Sequence, residues 1–428
     1  MGNALIAHHL RRFGVIPHLE PINAWQAVLG AHRPDFIVFN HLSVPHLAKY
    51  SRRLKEMGVL TAVLPNEGIF YNAPDLEYGS KSENPEMHCD YYFCWNDVHR
   101  EALVRNKFCS DPERVRTVGI PRFDFYFEPW KRTAPRHRPA SGRPVILMCG
   151  NFPLAHFQEM PPEEAEHFFA KWLDAVPLTR DYKNIVRGNH AARTRFLDYL
   201  DALMRIDKYH IIVRPHPREL GEFYHRWLDK LPAEQRAHVE LALDESIANL
   251  ILNCDLQVSC EHCTTALESW IVGQPTIEIV FEKHPFFYNP KRAGLNIECD
   301  APERLPAMVA EALKQPAPAA LKERQQEHLR TWCGPMDGAS AKRVARIIAD
   351  AVKAQPAKAM RLKLSDYRRG WKLLAYGMIN QPYTFFPVHL FLEKLSGKKT
   401  PTRKTGIYKK SITPSEVREA AALLESCA

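Results

Sequence analysis

Three side chains suited to binding an anion lie in the segment HIIVRPHPRE at residues 210–219. An apolar run ends at Arg214, and His216 and Arg218 follow it, each preceded by a proline that prevents further strand pairing. A guanidinium offers phosphate a planar fork of donors, and an imidazole can donate from either ring nitrogen. Because open α/β sheets bind ligands at the carboxyl ends of parallel strands, we predict a phosphate site here. A solvated basic loop is the alternative interpretation.

A second anion site is predicted where a strand meets a helix in DLQVSCEHCTTALESWIVG at 255–273. The helix begins at Thr264 or Thr265, whose hydroxyls can cap it, and the backbone N–H groups of a helix start attract anions. Glu268 lies one turn along this helix, within reach of a ribose hydroxyl. In the alternative interpretation the threonines are caps only and Glu268 is solvated.

Two carboxylates follow other predicted strands. Glu67 stands beside Gly68 in a tight turn of LPNEGIF at 64–70, and Asp124 lies in GIPRFDFY at 119–126. A carboxylate at the end of a strand can act as a general base toward a hydroxyl group. The alternatives are an exposed glutamate in a turn and, for Asp124, the N-cap of a helix.

The segment CEHC at 260–263 is an incomplete set of metal ligands. A structural zinc site needs four ligands, and no second pair follows at a suitable spacing. The sequence also contains no Walker A motif, no GxSxG elbow and no GxGxxG at a strand end. We therefore predict neither a metal site nor a cofactor.

Short apolar runs alternate with helical patterns in two blocks, which begin with DFIVFN at 35–40 and VILMCGN at 145–151. This alternation predicts an α/β protein with two Rossmann-like domains facing a cleft. Helix-like residues 3–12 and strand-like residues 14–18 stand where an opening strand is usual. The expected divisions are an N-terminal domain at 1–135, a Pro- and Arg-rich linker at 136–144, a C-terminal domain at 145–355 and a basic aromatic extension at 356–428.

The chain has 428 residues and a formal net charge of +9. Residues 356–428 hold 14 of its 58 Lys and Arg but 5 of its 49 Asp and Glu, so residues 1–355 are balanced. A balanced folded body argues against a nucleic-acid partner. Basic residues interleaved with aromatic ones fit an anionic membrane surface. The alternative is a helix that packs back on the N-terminal domain, followed by a solvated tail.

The sequence has no apolar run of about 18 residues and no secretory signal pattern at its start. Its ten cysteines are scattered, which is typical of reduced thiols. We expect a cytoplasmic protein, with peripheral attachment to the inner face of the membrane as the hypothesis for residues 356–428.

Taken together, the motifs resemble those of the bacterial surface-carbohydrate biosynthesis glycosyltransferases, a group of GT-B type. Their order is LPNEG, VGIPRFD, a strand ending in GNF, VRPHPRE and CTTALESWIVGQPTI. They are similar to motifs of Kdo transferases and of bacterial sialyl- and polysialyltransferases. The resemblance covers residues 59–285, and its motifs are specific in combination.

The resemblance implies roles for particular residues. The family's acidic-Glu-Gly motif falls on 66–68, which makes Glu67 the base, although Asn66 stands where an acidic residue is common. The HP motif places His216 on the donor phosphate, and the Ser/Thr pair places Thr264 and Thr265 near that phosphate. Asn151 matches the Asn of an Asn-Phe pair that lines the cleft.

In such enzymes the C-terminal domain holds a nucleotide-sugar donor and the N-terminal domain presents the acceptor, without a metal ion. The resemblance favours a CMP-activated Kdo or related ulosonic acid as donor and a surface-polysaccharide or lipid-linked glycan as acceptor. The reaction inverts if Glu67 acts as base, or retains if Glu67 and Asp124 share the roles of acid/base and nucleophile. The alternatives are a CDP-glycerol-type glycerophosphotransferase, a nucleotide-sugar 2-epimerase and a non-catalytic assembly protein of the same fold.

Overall fold

The structure is a computed structural model that describes residues 2–20, 25–42, 45–81, 87–135, 138–170, 173, 177–281, 283–315, 317–355, 360–380 and 414–427. The chain folds into two α/β units. The first comprises Met1–Ile69, Ser80–Thr133 and Trp332–Ala428, and the second comprises Phe70–Gly79 and Ala134–Thr331. Among the described residues, no helix combines the length and the apolar character needed to cross a membrane.

The elements follow one another in regular alternation over much of the chain. The strands are β1 (Phe36–Phe39), β2 (Leu60–Val63), β3 (Tyr91–Cys94), β4 (Val115–Thr117), β5 (Val145–Cys149), β6 (His210–Arg214), β7 (Val239–Leu241), β8 (Leu256–Cys260), β9 (Thr276–Ile279) and β10 (Ile297–Cys299). The helices are α1 (Gly2–Arg12), α2 (Trp25–His32), α3 (Pro45–Met57), α4 (Ala73–Ser80), α5 (Asp97–Arg105), α6 (Pro162–Phe169), α7 (Tyr182–Met204), α8 (Gly221–Leu228), α9 (Ala233–Arg236), α10 (Ile247–Asn253), α11 (Thr265–Val272), α12 (Leu305–Lys314), α13 (Ala319–Cys333), α14 (Ser340–Ala354), α15 (Leu364–Asn380) and a further helix, Pro414–Cys427.

The first unit is built on a parallel sheet in the order β1-β2-β3-β4. Its strands coincide with the apolar runs of the sequence, and their register pairs Phe39 with Val63 and Tyr92 with Val115. α3 buries Leu54 in the same cluster as Val63, as its helical apolar period predicts. α1 forms where residues 3–12 predict a helix, but residues 14–18 form no strand.

The last helices complete the first unit. α14 buries Val344 and Ile348 in one cluster with Leu5 of α1, and Leu424 of the helix Pro414–Cys427 is fully buried there too. α14 carries its apolar residues on one face, so docking that face is the main source of its stability. The predicted domain boundary at residue 355 is therefore corrected, because the chain from Trp332 onward packs in the first unit.

The expected linker, 136–144, also changes. The longer segment of the second unit begins at Ala134, and Arg138 forms an ion pair of 2.6 Å with Asp255. Residues 136 and 137 lie outside the described residues. The part of this segment that the structure describes thus belongs to the second unit.

The second unit is built on a parallel sheet in the order β10-β9-β8-β5-β6-β7. The chain starts at β5 in the middle, moves outward to β7, and returns to β8 on the other side of β5. This is the Rossmann strand order, and the switch point, where ligands bind in such sheets, lies between β5 and β8. The α/β fold class with two Rossmann-like domains is confirmed.

Candidate active site

The switch point of the second unit brings together two of the predicted segments. The chain leaves β5 through Gly150 and Asn151, and it leaves β8 through Glu261. The side-chain Nδ2 of Asn151 donates to the carbonyl of Glu261 over 3.2 Å, and the Cys260 thiol donates to the carbonyl of Cys149 over 3.3 Å. Asn151 therefore ties together the two turns that flank the switch point.

Arg214 lies on the same edge, because its strand β6 is the other neighbour of β5. Its Nη1 donates to the carbonyl of Ala242 over 2.7 Å and also to that of Leu243. Burial lowers the pKa of this guanidinium, which still carries its charge at neutral pH. Arg214 is thus half-buried and hydrogen-bonded to the backbone that follows β7. Its positive charge is fixed near the carboxyl end of β6.

His216 is fixed by the backbone of the turn in which it lies. Its Nδ1 accepts from the backbone N–H of Arg218 over 3.2 Å. A neutral imidazole whose Nδ1 accepts must carry its proton on Nε2, so Nε2 is the donor nitrogen of His216. Arg218 is exposed, and its guanidinium lies 5.0 Å from the ring centre of Phe168, a distance suited to a cation–π contact.

Glu219 holds this turn, and we did not single it out from the sequence. Its Oε1 accepts from the backbone N–H of His216 over 2.8 Å and from that of Phe152 over 3.1 Å, while the Tyr224 hydroxyl donates to Oε2 over 2.7 Å. Burial raises the pKa of the Glu219 carboxyl, although these three hydrogen bonds favour its charged form. The sequence does indicate this contact, because Glu219 stands three residues after His216 in VRPHPRE, a spacing at which a side chain can accept from a backbone N–H of the same turn.

The turn from β8 to α11 differs in detail from the prediction. Thr264 is exposed at the start of α11, but its side chain makes no capping hydrogen bond. The Thr265 hydroxyl accepts from Nε2 of Gln257 over 2.7 Å, so it anchors the helix to β8. Glu268 is buried, with 4% of its surface exposed, and the interpretation of a solvated side chain is wrong. The N-terminal N–H groups of α11 remain at the carboxyl end of β8, as predicted.

In the first unit, Glu67 stands on a turn that is held at three carbonyls. Trp95 Nε1 donates to the carbonyl of Pro65 over 3.1 Å, and Asn96 Nδ2 donates to that of Gly68 over 2.9 Å. Arg122 reaches the third carbonyl, that of residue 66, over 3.3 Å.

Packing against the Trp95 ring also fixes this turn. A methyl group added to Gly68 would lie 2.8 Å from Cγ of Trp95, so only glycine fits against that ring. The carboxylate of Glu67 is exposed. The turn therefore presents one accessible carboxylate on a rigid support at the end of β2.

Asp124 occupies a different environment from Glu67. Its carboxylate is 1% exposed and accepts from the backbone N–H groups of Ser340 over 3.1 Å and Ala341 over 2.7 Å. Burial raises its pKa to about 6, against the lowering effect of these bonds. Asp124 therefore caps the N-terminus of α14, and this structural contact corrects its prediction as an accessible catalytic carboxylate.

Among the residues that the structure describes, no group of three or more His, Cys, Asp and Glu side chains is arranged to hold a metal ion. Within CEHC at 260–263, burial raises the pKa of both thiols, Cys260 and Cys263.

No protein-family model matches the chain, and no curated protein matches it. Among solved structures, the chain is similar to the wall teichoic acid polymerase TagF, with 14% identity over 76% of this chain and 73% of that one and a TM-score of 0.43. A glycosyltransferase from Rickettsia africae ESF-5 gives 13% identity, coverage of 83% and 95%, and a TM-score of 0.42. A UDP-N-acetylglucosamine 2-epimerase gives 11% identity over 84% of this chain and 80% of that one, with a TM-score of 0.44. Similarities this weak assign no function, which must be inferred from the site itself.

Proposed function

We propose that the chain is a glycosyltransferase that moves a sugar from a nucleotide donor to a glycan acceptor. The supporting observation is the edge of the second unit, where Asn151 joins the two turns of the switch point beside the donors of His216, Arg218 and α11. Such an edge suits the phosphate of a nucleotide sugar, because fixed donors stabilise charge without rearranging.

In this proposal the second unit stabilises the leaving group. As the glycosidic bond to phosphate breaks, negative charge grows on the phosphate oxygens. That charge would be stabilised by three groups of donors: the Nε2–H of His216, the guanidinium of Arg218 and the N–H groups of α11. The positive charge of Arg214 would contribute further electrostatic stabilisation. Thr264 and Thr265 are proposed to line the phosphate, and Glu268, although buried on α11, to receive the ribose through the 4% of its surface that is exposed. Transfer then needs no metal ion.

The first unit is proposed to present the acceptor. The exposed carboxylate of Glu67 would accept the proton of the attacking hydroxyl, with its turn held rigid. Because Asp124 is buried as a capping residue, we favour one base and an inverting reaction over a pair of carboxylates.

The proposed donor is a CMP-activated Kdo or related ulosonic acid, and the proposed acceptor is a surface-polysaccharide or lipid-linked glycan. A thermal-shift panel with CMP, CDP, UDP and GDP tests the donor base. Transfer from CMP-Kdo, CDP-glycerol and UDP-N-acetylglucosamine, each measured by nucleotide release, tests the transferred group. Release from CDP-glycerol alone would establish a glycerophosphotransferase instead. Absence of nucleotide binding across the panel would refute the enzyme proposal.

We also propose peripheral attachment to the inner face of the cytoplasmic membrane through residues 356–428. α15 is held on the first unit by an ion pair of 2.7 Å between Asp366 and Arg53. Its outward-facing Trp371 is 70% exposed and Leu364 is 69% exposed, and the neighbouring Lys372 is exposed too. Aromatic and cationic side chains on one exposed surface suit an anionic lipid interface. The predicted cluster within 381–413 lies outside the described residues.

Flotation with phosphatidylcholine vesicles, with and without phosphatidylglycerol, tests this attachment. We expect the double variant Leu364→Ser, Trp371→Ser to float less than the wild type on the anionic vesicles. Ile16→Ser is the control, because Ile16 is an exposed apolar residue (83%) elsewhere on the first unit. Equal flotation of all three proteins would refute the proposed surface.

A further inference from the structure

The turn between β8 and α11 has an uncommon backbone conformation. Glu261 and His262 are consecutive non-glycine residues with φ of 52° and 49°. Left-handed backbone is unfavourable for both residue types, so the surrounding structure must hold the turn. The turn also forms one side of the switch point, where the proposed donor phosphate binds.

Two buried side chains, one acidic and one basic, hold the turn from different elements. Glu278, on β9, is 1% exposed, and its Oε1 accepts from the backbone N–H of His262 over 2.7 Å. Arg292, which lies beyond β9, is 3% exposed, and it donates to the carbonyls of His262 and Cys263, the latter over 3.1 Å. The backbone of the turn thus lies between a carboxylate on its N–H side and a guanidinium on its carbonyl side.

Further contacts fix the two charged groups. The other oxygen of Glu278 accepts from the Ser259 hydroxyl and from Nδ2 of Asn296, the latter over 3.0 Å. The guanidinium of Arg292 lies 5.6 Å from the ring centre of Trp270. Both groups are therefore preorganised before any ligand arrives.

The contact of Arg292 with Cys263 has a directional consequence. A trans peptide places its carbonyl and its N–H on opposite sides. When the Cys263 carbonyl is drawn toward Arg292, the N–H of Thr264 must point the other way, away from the guanidinium. Thr264 itself is an exposed residue at the start of α11.

We infer that Arg292 and Glu278 are positioning residues that orient the Thr264 N–H toward the phosphate of the donor. This inference rests on the proposed function, because it takes the switch point to be the donor site. Neither residue contacts the ligand. Both act through the backbone turn.

The first test compares Arg292→Lys with the wild type, using CMP, CDP, UDP and GDP and the nucleosides cytidine, uridine and guanosine as probes. Lysine keeps the charge but cannot reach both carbonyls. We expect the affinity for the bound nucleotide to fall about tenfold, the loss of one charged hydrogen bond, and the affinity for its nucleoside to stay unchanged. Arg304→Lys is the control, because Arg304 forms an exposed ion pair of 2.5 Å with Asp300 in the same unit.

A second pair of variants leaves the buried groups intact. Thr264 has φ of −65°, which proline adopts, so Thr264→Pro removes the N–H and keeps the φ of this residue. Thr264→Val removes only the hydroxyl and is its matched control. We expect Thr264→Pro to bind the nucleotide about tenfold more weakly than Thr264→Val, with equal affinity for the nucleoside.

The outcomes separate this inference from the proposed function. If the wild type binds none of the nucleotides, the proposed function fails and the inference fails with it. If the wild type binds a nucleotide and the folded Arg292→Lys binds it equally well, the inference alone is overturned. Equal losses of nucleotide and nucleoside would also overturn it, because a loosened fold weakens both.

Discussion

Replacing Glu219 with alanine removes the shared acceptor of two backbone N–H groups. Those of His216 and Phe152 both donate to its Oε1, and the Tyr224 hydroxyl donates to its other oxygen. Tyr224 is fully buried, so its hydroxyl has no direct route to bulk water. In the variant, these three donors lose their hydrogen-bond acceptor.

The size of the effect follows from those three donors. A buried donor that loses its partner costs about 1–3 kcal/mol. The three therefore set an upper limit of roughly 9 kcal/mol, and water entering the space of the lost side chain lowers it. We expect a loss of about 3 kcal/mol in the free energy of unfolding. For a domain of 150–250 residues this corresponds to a fall of roughly 6–12 °C in Tm.

Glu219→Gln separates geometry from charge. The glutamine carbonyl can accept from both backbone N–H groups, and the Tyr224 hydroxyl can accept from its amide. We expect Glu219→Gln to lose about 1 kcal/mol, and to keep more of the kcat/KM for transfer than Glu219→Ala does.

Calorimetry of the three proteins, with steady-state transfer measured beside it, is the assay. The reasoning is refuted if Glu219→Ala melts within about 2 °C of the wild type, or if the glutamine and alanine variants are equally destabilised.

Three further predictions concern Asp124, Glu67 and Gly68 of the first unit. Asp124, with its pKa raised from 3.8 to about 6, stabilises the fold most when protonated. Relative to Asp124→Asn, the wild type should therefore lose about 2 kcal/mol in the free energy of unfolding between pH 4 and pH 7, measured by denaturant titration. Glu67→Gln should abolish transfer, as measured by nucleotide release, and leave the thermal melt nearly unchanged, because its carboxylate is exposed. Gly68→Ala should lower both activity and Tm, since the added methyl group meets the Trp95 ring.

Each of these has an outcome that contradicts it. A pH profile of Asp124→Asn parallel to that of the wild type would mean that the buried carboxyl does not titrate between pH 4 and pH 7. Full activity of Glu67→Gln would remove Glu67 from the mechanism. An unchanged melt of Gly68→Ala would show that the Trp95 ring can move aside.

Local sequence patterns were sufficient to predict most of the sheet edge. Apolar runs located β5, β6 and β8, and the polar residues that follow them, such as Asn151 and His216, lie at the switch point. Strand order could not be derived in this way, because it depends on which strands pair, and β7 and β10 are three residues each with mixed polarity.

The contacts that the sequence did not predict are long-range hydrogen bonds. Asp124 caps a helix that begins 216 residues later, and no local pattern indicates such a partner. Glu278 lies within β9, but its contact with the His262 N–H depends on the alignment of β9 beside β8, which no local pattern indicates. Side chains that act across elements become recognisable once the register is known.

The return of α14 to the first unit has a consequence for synthesis on the ribosome. The apolar face of α1 emerges first, but Val344 and Ile348, which cover it, follow more than 300 residues later. The second unit, apart from Phe70–Gly79, is continuous and complete by Thr331, before those residues are made. We therefore expect the second unit to fold first. Until α14 is synthesised, the apolar face of α1 stays exposed and is available to chaperones.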